Sequence, residues 1–269
     1  FEGRGAFNLL ISHNRHWLND LGAEWRNRLQ LGETLAAYSE LYQPLGQANE
    51  AFVAAYTDAS LKRVEVYGSD GSAQGIGRRQ GLRLGADIGW PIGLLGRYGD
   101  MRVGLQLGLN KAVPELVSAG VLDPGEVISS QKWRDAGVRA AVISDQLDFA
   151  NFPSSGYRLQ GEVAAGRRSL DSGASTGFAR LETSGTAVHT WGRHSFNLGG
   201  RFARATQIPI GAIDEYSLGG FQQLSGYRVG QVAGNYLLFG RLTYYQRLPW
   251  NVGVARALFA GGSLEAGNA

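Results

Sequence analysis

Apolar and polar residues alternate with period two through most of this chain. Leu82, Leu84, Ala86, Ile88, Trp90 and Ile92 are separated by Arg83, Gly85, Asp87, Gly89 and Pro91. Val103, Leu105, Leu107 and Leu109 are separated by Gly104, Gln106 and Gly108. Tyr157, Leu159, Val163 and Ala165 stand against Arg158, Gln160 and Glu162, and Phe196, Leu198, Gly200 and Phe202 against Asn197, Gly199 and Arg201. Near the end, Leu242 and Tyr244 alternate with Arg241, Thr243, Tyr245 and Arg247. Successive side chains of a strand point to opposite faces, so each segment has one apolar face and one face of Arg, Gln, Glu, Asp and Gly. The pattern predicts about twelve strands, over 5–18, 23–32, 35–44, 52–67, 78–92, 100–113, 130–144, 156–168, 177–191, 195–206, 235–248 and 254–266. A short helix is expected, if anywhere, near 112–120.

Many of these segments exceed the ~5–6 residues of a soluble strand and reach the ~9–11 of a tilted membrane strand. The connections vary in the same sense. Asn19–Gly22, Trp191–His194 and Pro249–Asn251 read as tight turns, whereas 68–77, 111–129 and 205–234 read as long loops. Short turns at one end and long loops at the other are the pattern of an outer-membrane barrel. Two places break it: 144–156 is long where a turn is expected, and Gly32-Glu33-Thr34 is short where a loop is expected. The competing reading is a soluble antiparallel sandwich or propeller, which also alternates. Arginines in mid-strand and a ~30-residue loop at 205–234 favour a barrel with a water-filled lumen. The expectation is therefore an all-β antiparallel transmembrane barrel, forming one domain over 1–269.

Composition narrows the chemistry. The absence of cysteine removes disulfide frameworks, thiolate metal sites and cysteine nucleophiles. Of the basic residues only Lys62, Lys111 and Lys132 are lysines; the arginines are scattered and form no basic run, so nucleic acid is not an expected partner. No ~18-residue apolar run is present, which excludes a membrane helix but not membrane strands. The chain starts at Phe1, has Met101 as its one methionine and shows no signal peptide, so it is expected to be a segment of a longer reading frame.

Catalytic candidates are few. Gly173-Ala174-Ser175-Thr176-Gly177 fits G-x-S-x-G, but alternating strands flank it, and a nucleophile elbow needs a buried strand before it and a helix after it. His13 and His16 lie three apart on a strand and face opposite sides, so they cannot pair as ligands there. His189 and His194 have no orienting carboxylate in the pattern a Ser–His pair needs. No catalytic residue, metal site or cofactor is expected. Trp17, Trp25, Trp90, Trp133, Trp191 and Trp250 fall mostly near strand ends, as an interfacial girdle would. Leu105 is expected to face lipid and Gln106 the lumen.

The segment Gly219-Gly220-Phe221-Gln222-Gln223-Leu224-Ser225-Gly226-Tyr227-Arg228 resembles the inward-folded loop of the superfamily that contains BamA and the two-partner secretion transporters. The closest resemblance within it is to the C-terminal barrel of bacterial patatin-like phospholipases. Leu21-Gly22-Ala23-Glu24-Trp25-Arg26, Leu29–Gly32, Glu40–Leu45 and Phe259–Asn268 are similar to the same family. The resemblance implies a sixteen-stranded barrel in which the long loop joins strands eleven and twelve, so this chain would hold strands two to thirteen. It implies a barrel in the bacterial outer membrane that anchors, exports or orients an upstream lipid hydrolase. The implied partners are outer-membrane lipid, hydrolase and periplasmic domains of the same chain and, as an open alternative, a second copy. A protein-translocating or assembly pore of the same superfamily is the alternative function, and a soluble β-sandwich binding module the alternative of another class. The family's loop carries hydrophobic-Arg-Gly-aromatic, with the arginine reaching an acid on the barrel wall. The matching positions here are Leu224, Ser225, Gly226 and Tyr227, so serine stands at the arginine position. The wall acid corresponds to Glu265, and Arg228 is the substitute partner considered for it.

Overall fold

The computed structural model describes residues 8–32, 34–46, 50–67, 73–94, 97–117, 130–149, 152–206, 216–249 and 257–269. Twelve strands form one antiparallel sheet: β1 (Asn8–Arg15), β2 (Glu24–Gly32), β3 (Thr34–Pro44), β4 (Phe52–Tyr67), β5 (Ala73–Leu94), β6 (Arg97–Val117), β7 (Gln131–Asp145), β8 (Gly156–Leu170), β9 (Ser175–Trp191), β10 (His194–Ala205), β13 (Tyr236–Arg247) and β14 (Phe259–Asn268). Each pairs with its neighbour in chain order. Between β10 and β13 lies a separate short hairpin, β11 (Tyr216–Leu218) with β12 (Val232–Gly234). Among the described residues β1 and β14 pair on one side only, and the sheet is not closed.

All twelve predicted strands are present. β5 and β6 run further than the alternation suggests, so residues 112–117 continue a strand and are not helical. Residues 118–120 lie outside the described residues, as do Glu33 and Trp250. The long 144–156 connection is real, and G-x-S-x-G forms the β8–β9 hairpin turn, with Leu170 N–H bonded to the Ala174 carbonyl. It has no helix after it and therefore no elbow context.

The two faces of the sheet are inverted relative to a soluble protein. Leu105 is 66% exposed, and Leu82, Leu84, Val103, Leu107, Leu109, Val138 and Leu198 are exposed with it. Glu40, by contrast, is 2% exposed, and Asp87, Arg102 and Gln106 on the other face are also buried. A sandwich would bury the leucines between two sheets. Exposing them while enclosing charge is the arrangement of a lipid-facing barrel wall. On β6 the outward apolar series runs from Met101 to Leu109, the ~9–11 residues that span a membrane at strand tilt.

Trp25, Trp90 and Trp191 face outward at the short-turn end of the wall, where the amphipathic indole suits the membrane interface. Trp133 departs from the girdle reading. It lies on the inner face, 3% exposed, against Ala112 and beneath the Arg79 and Arg168 guanidinium groups. His194 stacks on Tyr244, and His13 packs edge-on against Trp25.

At the short-turn end, Phe152 and Pro153 of the β7–β8 connection pack over β13 and β14. Phe152 stacks on Phe259 at 4.7 Å and meets Tyr245 edge-on, while the Tyr245 hydroxyl donates to the Pro153 carbonyl. Asp148 holds the turn closed: its carboxylate accepts from the backbone N–H groups of Phe149, Ser154 and Ser155 and from the Ser154 hydroxyl. Slight burial pushes the Asp148 carboxyl upward, but these donors outweigh it and hold it below its ordinary range. A group with a lowered folded pKa contributes stability above its unfolded value and loses it as pH falls through the folded one. The turn should thus stay closed at neutral pH and open only as pH falls below the ordinary aspartate range. Limited proteolysis by an acid protease should cut 146–155 faster there, and Asp148→Ala should make the cut fast at every pH.

The lumen wall and its inserted loop

The inner wall is built from aromatic rings laid over glycines. The Phe52 ring lies where a side chain on Gly89 would stand, 2.2 Å from that Cβ position, and the Tyr56 ring covers Gly85 at 2.3 Å. Any larger residue at either glycine would lift its ring off the wall. Arginines from the next strands lie over these rings: Arg102 is 5.1 Å from the Phe52 centroid and Arg139 is 5.0 Å from that of Tyr56.

The arginines are held by carboxylates that alternate with them across the sheet. Glu40 on β3 accepts from Arg102 on β6 at 2.5 Å, from Arg26 on β2 at 3.2 Å and from the Tyr38 hydroxyl at 2.7 Å. Glu162 on β8 accepts from Arg180 at 2.8 Å, Arg139 at 3.1 Å and Arg83 at 3.2 Å. Arg139 also meets Asp87 at 2.9 Å and Arg83 meets Asp58 at 2.8 Å, while Arg168 grips Asp135 with two nitrogens at 2.7 and 2.8 Å. Paired and stacked in this way, the charges are kept out of bulk water without being left uncompensated. The alternation located these residues on the lumen face, but did not show which arginine would reach which acid. Several pairs bridge strands that are not neighbours.

The inserted loop is seated against β10, β13 and β14. Tyr216, Leu218 and Leu224 form an apolar cluster with Ala203, Leu237 and Phe239 of the wall. Arg241 donates to the backbone carbonyl and side chain of Gln222 at 3.2 and 2.9 Å, and the Tyr216 hydroxyl reaches Glu182 at 3.3 Å. Glu182 in turn holds Arg180, so the loop joins the same charge network.

Glu265 faces the lumen, as its alternation with Ser263 requires, and meets the loop at the serine position. One carboxylate oxygen accepts from Leu224 N–H at 2.9 Å and Ser225 N–H at 2.8 Å, and the Ser225 hydroxyl lies 3.0 and 3.1 Å from the two oxygens. The Ser263 hydroxyl completes the shell at 2.8 Å. Leu224, at φ +73°, adopts the left-handed conformation that turns consecutive N–H groups toward one anion. Arg228 does not take the wall acid: no ion pair joins it to Glu265 among the described residues, and its own N–H donates to Gln231. A serine and two backbone amides meet the wall acid because the turn brings the loop backbone itself to the wall.

Gly219 and Gly220 form the start of this turn, with Gly219 N–H bonded to the Gln223 carbonyl and Gly220 N–H to that of Tyr227. Phe221 and Tyr227 project from it and are exposed, and Gly226 has open space around it. Ser225→Ala should cost about 1 kcal/mol of loop docking, one hydrogen-bonding group. Glu265→Ala should cost more, because two backbone donors lose their partner as well. Protease sensitivity of 216–234 in folded protein would rank them; equal sensitivity of both variants and the parent would remove Glu265 from its anchoring role.

Along the inner wall lies a polar cavity of about 720 Å³, bordered by Asp58, Arg83, Glu162, Arg180, Glu182 and Arg201 among others. Among the described residues no group of three or more His, Asp or Glu is arranged to hold a metal ion.

Fold and lumen together define a class: an outer-membrane β-barrel wall with an apolar exterior, an ion-paired interior and a loop folded into the lumen. Residues 41–260 match the family model for the Omp85 superfamily domain. The chain belongs to the Omp85 superfamily, which places it in the bacterial outer membrane. The fold is similar to the crystal structure of BamA from Haemophilus ducreyi lacking POTRA domains 1–3, with TM-score 0.67 at 11% identity over 97% of this chain and 54% of that one. CdiB from Acinetobacter baumannii aligns with TM-score 0.48 at 13% identity, over 97% of this chain and 53% of that one. The chain thus spans about half the length of these solved structures. No curated protein sequence matches it.

Proposed function

We propose that this barrel anchors an upstream patatin-like lipid hydrolase at the bacterial outer membrane and orients it there. The observation that carries the reading is the loop of 216–234, whose sequence is similar to that family and which is pinned to the wall by Glu265 through Ser225 and Leu224. A lumen tied across β2 to β9 by ion pairs and filled by a docked loop suits a rigid anchor. On this reading residues 1–269 form one barrel domain, strands two to thirteen of sixteen. Hydrolase and periplasmic modules precede it, and three strands follow. The barrel itself supplies no catalytic group, and its further partners are membrane lipid and, in one version, a second copy of the chain.

The second reading is a protein-translocating or assembly pore. The polar cavity along the inner wall favours it, since a passage for polypeptide needs such a lining. Sequencing the parent reading frame, followed by labelling of the full-length protein with a fluorophosphonate probe for serine hydrolases, separates the two. An upstream G-x-S-x-G in strand–turn–helix context and a labelled serine support the anchor. Small periplasmic repeats upstream and no labelling would overturn it and leave the pore.

A further inference from the structure

The outward face of the wall changes character at one end of one sector. On β4 to β8 the exposed apolar series stops at Leu61, Leu82, Leu109, Ala136 and Ala165, and the next outward positions toward the long-loop end are basic or polar. Lys111 follows Leu109 on β6, Arg134 and Lys132 follow Ala136 on β7, and Arg167 follows Ala165 on β8. Arg63 on β4 and Arg78 on β5 occupy the same band.

Three observations separate this band from ordinary interfacial lysines and arginines. The first is register: Lys111 is directly opposite Lys132, and Arg63 directly opposite Arg78. Like charges in directly opposed positions are destabilising, so the Lys111–Lys132 pair calls for a counter-charge. The second is confinement. At the other end of the same strands the exposed outward residues, among those whose side chains are described, include Val53, Ile88, Trp90, Met101, Val103 and Leu159 and no basic one. At the long-loop end of β2, β3 and β13 they are Leu31, Leu35, Tyr236 and Leu238, and the outward cation of β10, Arg204, stands opposite Leu181 and Tyr236 rather than another cation. The third is shape. A shallow groove on this face is bordered by Leu82 and Leu109 below and by Lys111, Lys132 and Arg134 above. Among the described residues the acid bordering it is Asp171, 3.7 Å from Lys132 in a largely exposed pair; Glu65, hydrogen-bonded by Tyr67, lies on the same face beyond Arg63. One exposed carboxylate does not neutralise the three basic groups that border the groove.

We infer that this groove binds the phosphorylated headgroup of a membrane lipid in the leaflet on the long-loop side, with Lys111, Lys132 and Arg134 on the phosphate and Leu82 and Leu109 against its acyl chains. The cations sit at the upper end of the apolar belt, the depth at which headgroup phosphates lie when the acyl chains run alongside the leucines. In an outer membrane the long loops face outward, so the lipid is a phosphorylated glycolipid of the outer leaflet, of the lipid A class. This site serves either function proposed above and does not depend on the choice.

The test uses the full-length protein, folded into phosphatidylcholine vesicles containing bis-phosphorylated lipid A, or phosphatidylglycerol at equal charge, and then extracted in mild detergent for native mass spectrometry of retained lipid. The parent protein should retain lipid A well above phosphatidylglycerol. Each cation near an anionic headgroup is worth roughly fivefold, so Lys111→Gln with Lys132→Gln and Arg134→Gln should lower lipid A affinity on the order of 100-fold. Folding is checked by the band shift on unheated gels, and the single variants Lys111→Gln and Arg134→Gln carry the test should the triple not fold. Lys62→Gln, on the lumen face, should retain lipid as the parent does. Equal retention by parent and triple variant overturns the site, as does equal preference for phosphatidylglycerol, which would reduce the band to a general charge belt.

Discussion

Glu40→Ala should destabilise the barrel by about 3–5 kcal/mol, the cost of leaving a buried charge without its partner. Glu40 is 2% exposed, and its carboxylate neutralises both Arg102, itself buried, and Arg26. Arg102 keeps a contact to Asp100 at 3.1 Å but cannot leave the Phe52 ring for water without opening the wall. Replacing both partners with apolar residues of similar shape, Glu40→Leu with Arg102→Met, should restore much of the loss, since such exchanges are often neutral in buried sites. A double-mutant cycle on denaturant unfolding in lipid vesicles measures the coupling. Additive single effects would show that the pair is not a unit and that the wall relaxes around either charge.

Leu105→Arg should cost ~2–4 kcal/mol, the penalty for arginine at mid-depth on a lipid-facing strand. Leu105 is 66% exposed at the centre of the apolar series Met101 to Leu109. The lumen-side control is Gln160→Arg, within about 0.5 kcal/mol of the parent, as for ordinary exposed positions. Gln160 is exposed and borders the polar cavity. Gln106 does face the lumen, as expected, but it is only 6% exposed, and an arginine there would overpack the wall. Equal unfolding penalties for Leu105→Arg and Gln160→Arg, read in the same vesicles, would contradict the assignment of faces.

The strands were legible because a barrel wall has a single rule: one face meets hydrocarbon and the other water, over a fixed thickness. That rule writes itself as period-two alternation, and every one of the twelve predicted strands is found. Places where the rule lapses were misread. Residues 112–117 remain a strand although Pro114 and Glu115 break the alternation, because backbone pairing with β5 continues beyond the membrane belt. Trp133 looked like a girdle residue from its place near a strand end, but one step of register puts it inside beneath two arginines. Glu265 was placed on the lumen side by alternation alone. Its true partner was hidden, because Leu224 and Ser225 offer backbone amides, and a left-handed turn has no side-chain signature when the residue is leucine.

The sequence by itself determined the all-β class, the strand count, the inside and outside of the wall and the membrane setting. These depend on local periodicity and on the contrast between lipid and water, both of which act on each residue independently. Only the tertiary structure decided which arginine holds which acid, that Phe52 and Tyr56 lie over Gly89 and Gly85, that Ser225 rather than Arg228 meets Glu265, and that Lys111, Lys132 and Arg134 gather into one outward band. Those facts depend on inter-strand register and on long side chains crossing two or three strands. Residues far apart along the chain become neighbours only when the whole sheet is assembled.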